Sequence, residues 1–160
     1  MRVKHDIPPV FDENSHILIL GSFPSVSSRE ARFFYGHPQN RFWRVLAGVY
    51  GEPLPETVRE KRALLLAHGL ALWDVAAECD IEGSADSSLS SAVPNDLTEI
   101  LARCDIRRIL VNGRTAQRLY QRLLEPLLGR AAEYLPSTSP ANAAWSLPRL
   151  TEEWRRALTE

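Results

Sequence analysis

His16-Ile17-Leu18-Ile19-Leu20-Gly21-Ser22-Phe23-Pro24-Ser25 begins as an unbroken apolar run and stops at glycine, proline and serine. A short apolar run bounded by turn residues reads as a buried strand with a loop at its C-terminal end. A second segment repeats the pattern far along the chain: Ala132-Glu133-Tyr134-Leu135 runs into Pro136-Ser137-Thr138-Ser139-Pro140-Ala141-Asn142-Ala143. In open α/β sheets, ligands bind beyond the C-terminal strand ends. Both loops carry small residues that let backbone amides approach a polar ligand, so two distant segments are expected to frame one site.

Between these segments, strands and helices alternate. Strands are expected at about 16–21, 70–75, 107–111 and 131–135, and helices at about 40–50, 56–68, 96–104, 114–128 and 148–158. Phe42, Trp43, Leu46, Ala47 and Tyr50 have helical spacing, and Asn95 or Asp96 is placed to cap the helix over 96–104. Residues 82–95 read as a polar loop. The alternation predicts a single α/β domain over 1–160, three-layered, with a four-stranded, mostly parallel sheet flanked by helices.

Composition narrows the function classes. The chain has 160 residues, 44% hydrophobic and 24% charged, with net charge −1. No apolar run approaches the ~20 residues that span a bilayer, and no signal-peptide pattern follows Met1. Cys79 and Cys104 lack CxxC spacing and cannot build a four-cysteine zinc or iron–sulfur site. They are expected as buried free thiols in a reducing cytoplasm. His5, His16, His37 and His68 show no metal-ligand spacing, so neither metal nor cofactor is expected. Arginines concentrate at 29–44 and 103–122 while acids gather at 78–105. That asymmetry permits a positive face toward a polyanion, and it equally fits solvated helix surfaces. A P-loop and a dinucleotide fingerprint are both missing after Gly21. Ser22, His37 and Asp74 make a paper triad that no GxSxG elbow supports.

The motifs GSFPSVSS at 21–28, FYGHPQNRFW at 34–43, LWDV at 72–75, NGRTAQ at 112–117 and STSPANA at 137–143 together resemble the uracil-DNA glycosylase superfamily. Their order and spacing are most similar to its hypoxanthine (deoxyinosine) DNA glycosylase branch. The resemblance implies a monofunctional glycosylase that flips deaminated bases out of DNA and hydrolyses the N-glycosidic bond in base excision repair. Hypoxanthine is the first substrate and uracil or xanthine the alternatives. A cytoplasmic monomer acting at the bacterial nucleoid, with DNA as partner and no membrane, is the corresponding expectation. Only Lys4 and Lys61 are available as amines, and neither lies in a motif, so no lyase step is expected.

Site residues follow from the same resemblance. Many members hold the attacking water with an acid or amide two residues after the first-loop glycine; here that position is Phe23. A second-loop histidine of some members is matched by Ser137. Asn40 in the HPxNxFW stretch takes the catalytic role of the branch, although an asparagine there also suits a helix N-cap. Asp74, at the end of the second strand, matches the base-reading position: a carboxylate accepts from the N1–H of hypoxanthine and repels the bare N1 of adenine. The alternative is a loop aspartate bonded to its own backbone. Gly21, Ser22, Phe23, Phe34 and Tyr35 complete the base pocket, the aromatics as stacking surfaces or as core. Pro24, Ser25, His37, Ser137, Thr138, Ser139, Pro140, Asn142 and Ala143 are the DNA-binding candidates. The hydroxyls suit a phosphate clamp or plain turn chemistry. Trp145 is a duplex probe or a core anchor. A non-catalytic binder of damaged or mismatched DNA and a nucleoside hydrolase remain as other readings.

Overall fold

The computed structural model describes residues 2–80 and 91–159. Four parallel strands form the central sheet: β2 (Ile17–Gly21), β3 (Leu70–Asp74), β6 (Arg108–Asn112) and β7 (Glu133–Leu135), in the order β3-β2-β6-β7. All five residues of β2 are buried, because helices cover both sheet faces, as parallel sheets require. Alternate side chains go to opposite sides. Ile17 and Ile19 pack with Leu70, Leu72, Phe42, Leu46 and Trp154 on one face. Leu18 and Leu20 pack with Ala71, Val111, Ile100, Leu119 and Tyr120 on the other. The first face is covered by α2 (Phe42–Tyr50), α3 (Val58–Ala67) and α7 (Leu147–Thr159), the second by α4 (Thr98–Arg103) and α5 (Arg114–Leu123). The three-layer architecture read from the sequence is therefore the one found.

Several elements depart from that reading. A six-residue helix, α1 (Val26–Ala31), follows the first loop, capped by Ser25, whose Oγ accepts from Ser28 N. The helix over 114–128 breaks at Leu124 into α5 and α6 (Glu125–Leu128), with Pro126 at the new start. Val75 carries the chain out of the parallel sheet into β4 (Ala76–Asp80). That strand pairs antiparallel with β1 (Arg2–Lys4) and β5 (Val93–Pro94) in a small second sheet. Of the polar loop expected over 82–95, residues 82–90 lie outside the described residues. Asn95 caps no helix: it is buried and its Nδ2 donates to Asp74 O at 2.9 Å. Asp96 is not the cap either: it precedes the N-cap, Leu97, and its Oδ1 accepts from Thr98 N at 2.9 Å in a local turn. Cys79 and Cys104 are buried free thiols. No helix among the described residues is long and apolar enough to cross a membrane.

Trp154 ties the core to the second loop. Its ring is fully buried, meets Phe42 edge-on at 5.8 Å, and donates Nε1–H to Pro136 O at 3.0 Å, where that loop begins. Trp154→Ala should cost about 3–5 kcal/mol, the range for large-to-small core changes. Urea titration of the variant checks this, and a loss under 1 kcal/mol would show that the ring is not the anchor described.

Candidate active site

The C-terminal ends of the parallel strands bring the site together. Asp74 ends β3 opposite Gly21 of β2, and Asn112 ends β6 opposite Leu135 of β7. Beyond these ends lies a cleft of about 310 Å³. Its walls include Gly21, Ser22, Phe23, Pro24, Ser25 and Ser28 from the first loop and α1. Phe34, Tyr35, His37 and Asn40 come from the aromatic stretch, and Ser137, Thr138, Ser139 and Pro140 from the second loop, with Asp74 and Asn112 at the strand ends. Two of the expected DNA-binding residues, Asn142 and Ala143, are outside this lining. Asn142 instead holds the loop, donating Nδ2–H to Ser137 O at 3.0 Å.

Asp74 is 4% exposed and its Oδ2 has no hydrogen-bond partner among the described residues. Burial disfavours the charged form and pushes this carboxyl up to about 7. Gly21 makes the crowding possible. A Cβ there would lie 2.5 Å from Asp74 Oδ1 and 2.8 Å from the Tyr35 hydroxyl. Gly21→Ala should therefore displace both groups and cut the rate of whatever reaction the cleft performs by at least roughly 10²-fold, the cost of ångström-scale misplacement. Single-turnover kinetics test this, and an unchanged rate would show that the cleft tolerates the shift.

Tyr35 adopts a left-handed backbone, φ 53°, which a non-glycine residue holds only when its surroundings enforce it. The enforcing contacts are visible. Its ring stacks on Phe42 at 4.1 Å, and its hydroxyl accepts from Asn112 Nδ2 at 3.1 Å. Burial foremost, with the Asp74 charge adding to it, raises the hydroxyl well above its ordinary range. Phe23 lines the cleft between His5, edge-on at 5.3 Å, and the Arg29 guanidinium at 5.7 Å. The paper triad does not assemble: His37 Nδ1 accepts from Gln39 N, and no described residue hydrogen-bonds Asp74 Oδ2.

Asn40 and the second loop share one network. Asn40 Oδ1 accepts from Phe42 N and from Thr138 Oγ1, each at 2.9 Å. Thr138 is fully buried; its N–H donates to Asn112 Oδ1 and its hydroxyl accepts from Asn112 Nδ2, each at 3.1 Å. Arg41 clamps the loop: its backbone N–H reaches Thr138 O at 3.0 Å. The Arg41 guanidinium donates to the carbonyls of Ser139, Asn142 and Trp145. Ser137 and Ser139 hydroxyls accept from the amides of Ser139 and Ala141. Turn chemistry is thus present, and each hydroxyl keeps its own hydrogen to donate. Asn112, Ser28 and Arg41 had no assigned role from sequence. For Asn112 a signal existed, since a polar residue ending a buried parallel strand stands where Asp74 stands.

The arginine clusters divide. Arg103, Arg107 and Arg108 pair with Glu99, Asp105 and Glu133, so this part of the second cluster is neutralised. Arg29, Arg44, Arg114 and Arg149 form no ion pair among the described residues. They lie over Phe23, against Pro38 O and Asn40 O, over Tyr134 and over Trp145, respectively.

Comparisons with known proteins agree with this geometry. A family profile described as "Uracil DNA glycosylase superfamily" matches residues 8–160. A protein of Methanosarcina acetivorans named "Hypoxanthine DNA glycosylase" is 40% identical over 154 residues, 94% of this chain and 95% of that protein. A Methanosarcina barkeri protein of the same name is 33% identical over 96% of this chain and 97% of its own. The solution NMR structure of a candidate uracil DNA glycosylase from Methanosarcina acetivorans superposes with a TM-score of 0.82 at 36% identity. It covers 99% of this chain and 97% of that one. A profile match over nearly the whole chain, and relatives this similar end to end, settle the family: the chain belongs to the uracil-DNA glycosylase superfamily.

Proposed function

We propose that the chain is a monofunctional DNA glycosylase that excises hypoxanthine from deaminated DNA, acting as a monomer in a reducing cytoplasm. The observation that carries the substrate assignment is the buried Asp74 in the lining of the cleft, whose Oδ2 has no partner among the described residues. An orphaned buried carboxylate oxygen is costly unless a ligand supplies a donor, and the N1–H of hypoxanthine is such a donor. The names of the two Methanosarcina relatives point the same way.

The reaction takes a base flipped out of the stack into the cleft. The C1′–N9 bond breaks and its electron pair leaves with the base, which then takes a proton from solvent. Water forms the new C1′–O bond and gives its proton to solvent. Positive charge develops on the sugar and negative charge on the base, so aligned donors around the cleft lower the barrier. Phe23 cannot hold water; the resemblance to the hypoxanthine branch gives the catalytic role to Asn40, which lines the cleft. Lys4 pairs with Glu78 and Lys61 lies over Trp43. Neither lines the cleft, which supports cleavage without a Schiff base. Arg29, Arg44 and Arg149, without a carboxylate partner among the described residues, suit DNA phosphates, whose neutralisation makes affinity fall steeply with salt.

Labelled duplexes carrying one inosine, one uracil or no damage, treated with alkali after incubation, test the reading. Breaks at inosine support it, while breaks confined to uracil keep the superfamily and overturn the substrate. Duplex binding without breaks would make the protein a binder of damaged DNA.

A further inference from the structure

Hydrogen-bond accounting at Asn40 determines which end of its amide faces the substrate. Phe42 N–H is a backbone donor and can only meet an acceptor, so the amide atom 2.9 Å away is the oxygen. That oxygen also accepts from the Thr138 hydroxyl at 2.9 Å. An amide oxygen has two lone-pair sites, and both are taken. Thr138 has no freedom to release it. Its oxygen is occupied by the Asn112 Nδ2–H, its N–H by Asn112 Oδ1, and its carbonyl by Arg41 N–H. Asn112 is held in turn, because its second Nδ2 hydrogen goes to the Tyr35 hydroxyl. The Asn40 amino group has no protein acceptor among the described residues, and Asn40 lines the cleft.

Resting on the glycosylase reading above, we propose that Asn40 acts as a hydrogen-bond donor to the departing base anion, and that Thr138 is the positioning residue that locks it in that orientation. An amide presenting only N–H cannot accept a proton from water. It can stabilise negative charge as the C1′–N9 electron pair moves onto the base, and it needs no reorganisation to do so. The attacking water then gives its proton to solvent after the base has largely left.

Two variants test this with single-turnover excision from an inosine duplex and duplex affinity measured side by side. Asn40→Asp keeps the size and both accepting contacts of Oδ1 but replaces the donor with an acceptor. Its rate should fall on the order of 10²–10³-fold below wild type, the cost of losing a transition-state donor, by the same factor at each pH from 5 to 8. A rate within tenfold of wild type, or a ratio to wild type that recovers as pH rises, would overturn the donor role in favour of water activation. Thr138→Val removes the lock. Its rate should drop about tenfold, the worth of roughly one hydrogen bond, with affinity unchanged, and Thr138→Ser should restore it. Equal rates for Val and Ser, or a change confined to affinity, would remove Thr138 from the positioning role. Should wild type itself release no base from inosine or uracil duplexes, the glycosylase reading fails instead.

Discussion

Asn40→Ala should leave a protein that binds inosine-containing duplex as wild type does and cuts it on the order of 10²–10³-fold more slowly, the usual cost of removing one preorganised donor. The two effects separate because the side chain contributes through different atoms. Its oxygen satisfies Phe42 N at the start of α2 and receives the Thr138 hydroxyl; its amino group has no protein acceptor among the described residues, and the residue lines the cleft. Alanine deletes both, so a stability loss of about 1 kcal/mol, typical of a lost cap, should accompany the kinetic loss. That loss is too small to unfold a domain of ordinary stability, and affinity reports that the fold and the duplex-binding surface are intact. Single-turnover rates with saturating enzyme isolate the chemical step from product release. A variant that cuts within tenfold of wild type would falsify the assignment.

What could be read from the chain depended on whether the signal was local. The strands at Ile17–Gly21, Leu70–Asp74 and Arg108–Asn112 are apolar runs closed by turn residues, and each appears within a residue or so of its expected bounds. Helix α1 escaped because Val26-Ser27-Ser28-Arg29-Glu30-Ala31 has no apolar period; it exists through the Ser25 cap and the buried Ser28 hydroxyl, which accepts from Gly36 N. The second sheet escaped because Ala76-Ala77-Glu78-Cys79-Asp80 is a strand only when paired with Arg2–Lys4 across the length of a domain half. At the site, the strand-end logic found Asp74 and both loops. It could not find that Thr138 bonds Asn40 across 98 positions, nor that Arg41 is a loop clamp rather than a surface charge. The choice between cap and catalyst for Asn40 does not divide the side chain: its oxygen accepts from Phe42 N at the start of α2, where Arg41 is the N-cap, and its amino group has no protein acceptor among the described residues.

Asp74→Asn should weaken the preference for hypoxanthine over adenine roughly 10- to 100-fold, the discrimination that one good base contact carries, while making the protein more stable at alkaline pH. Both follow from one buried group. The carboxyl has an ordinary value near 3.8 and is pushed up to about 7 by burial. Between those values the native state binds a proton that the unfolded chain has released. Unfolding free energy therefore falls as pH rises through about 4 to 7, and the full penalty remains above that window. Asparagine removes a penalty of up to roughly 4 kcal/mol, so the variant should gain on wild type by urea denaturation at pH 8 and show no gain at pH 4. Function runs the other way. Accepting the N1–H of hypoxanthine uses the ionised carboxylate, so wild-type excision should rise with pH toward neutrality, and the variant should lose that limb. Its amide also offers a donor to the bare N1 of adenine, which the carboxylate repels. On the proposed reading, the stability cost of the buried charge is the counterpart of separating a deaminated base from its parent. A variant with unchanged base preference and unchanged pH profile would remove Asp74 as the reader, even if the predicted gain in stability appears.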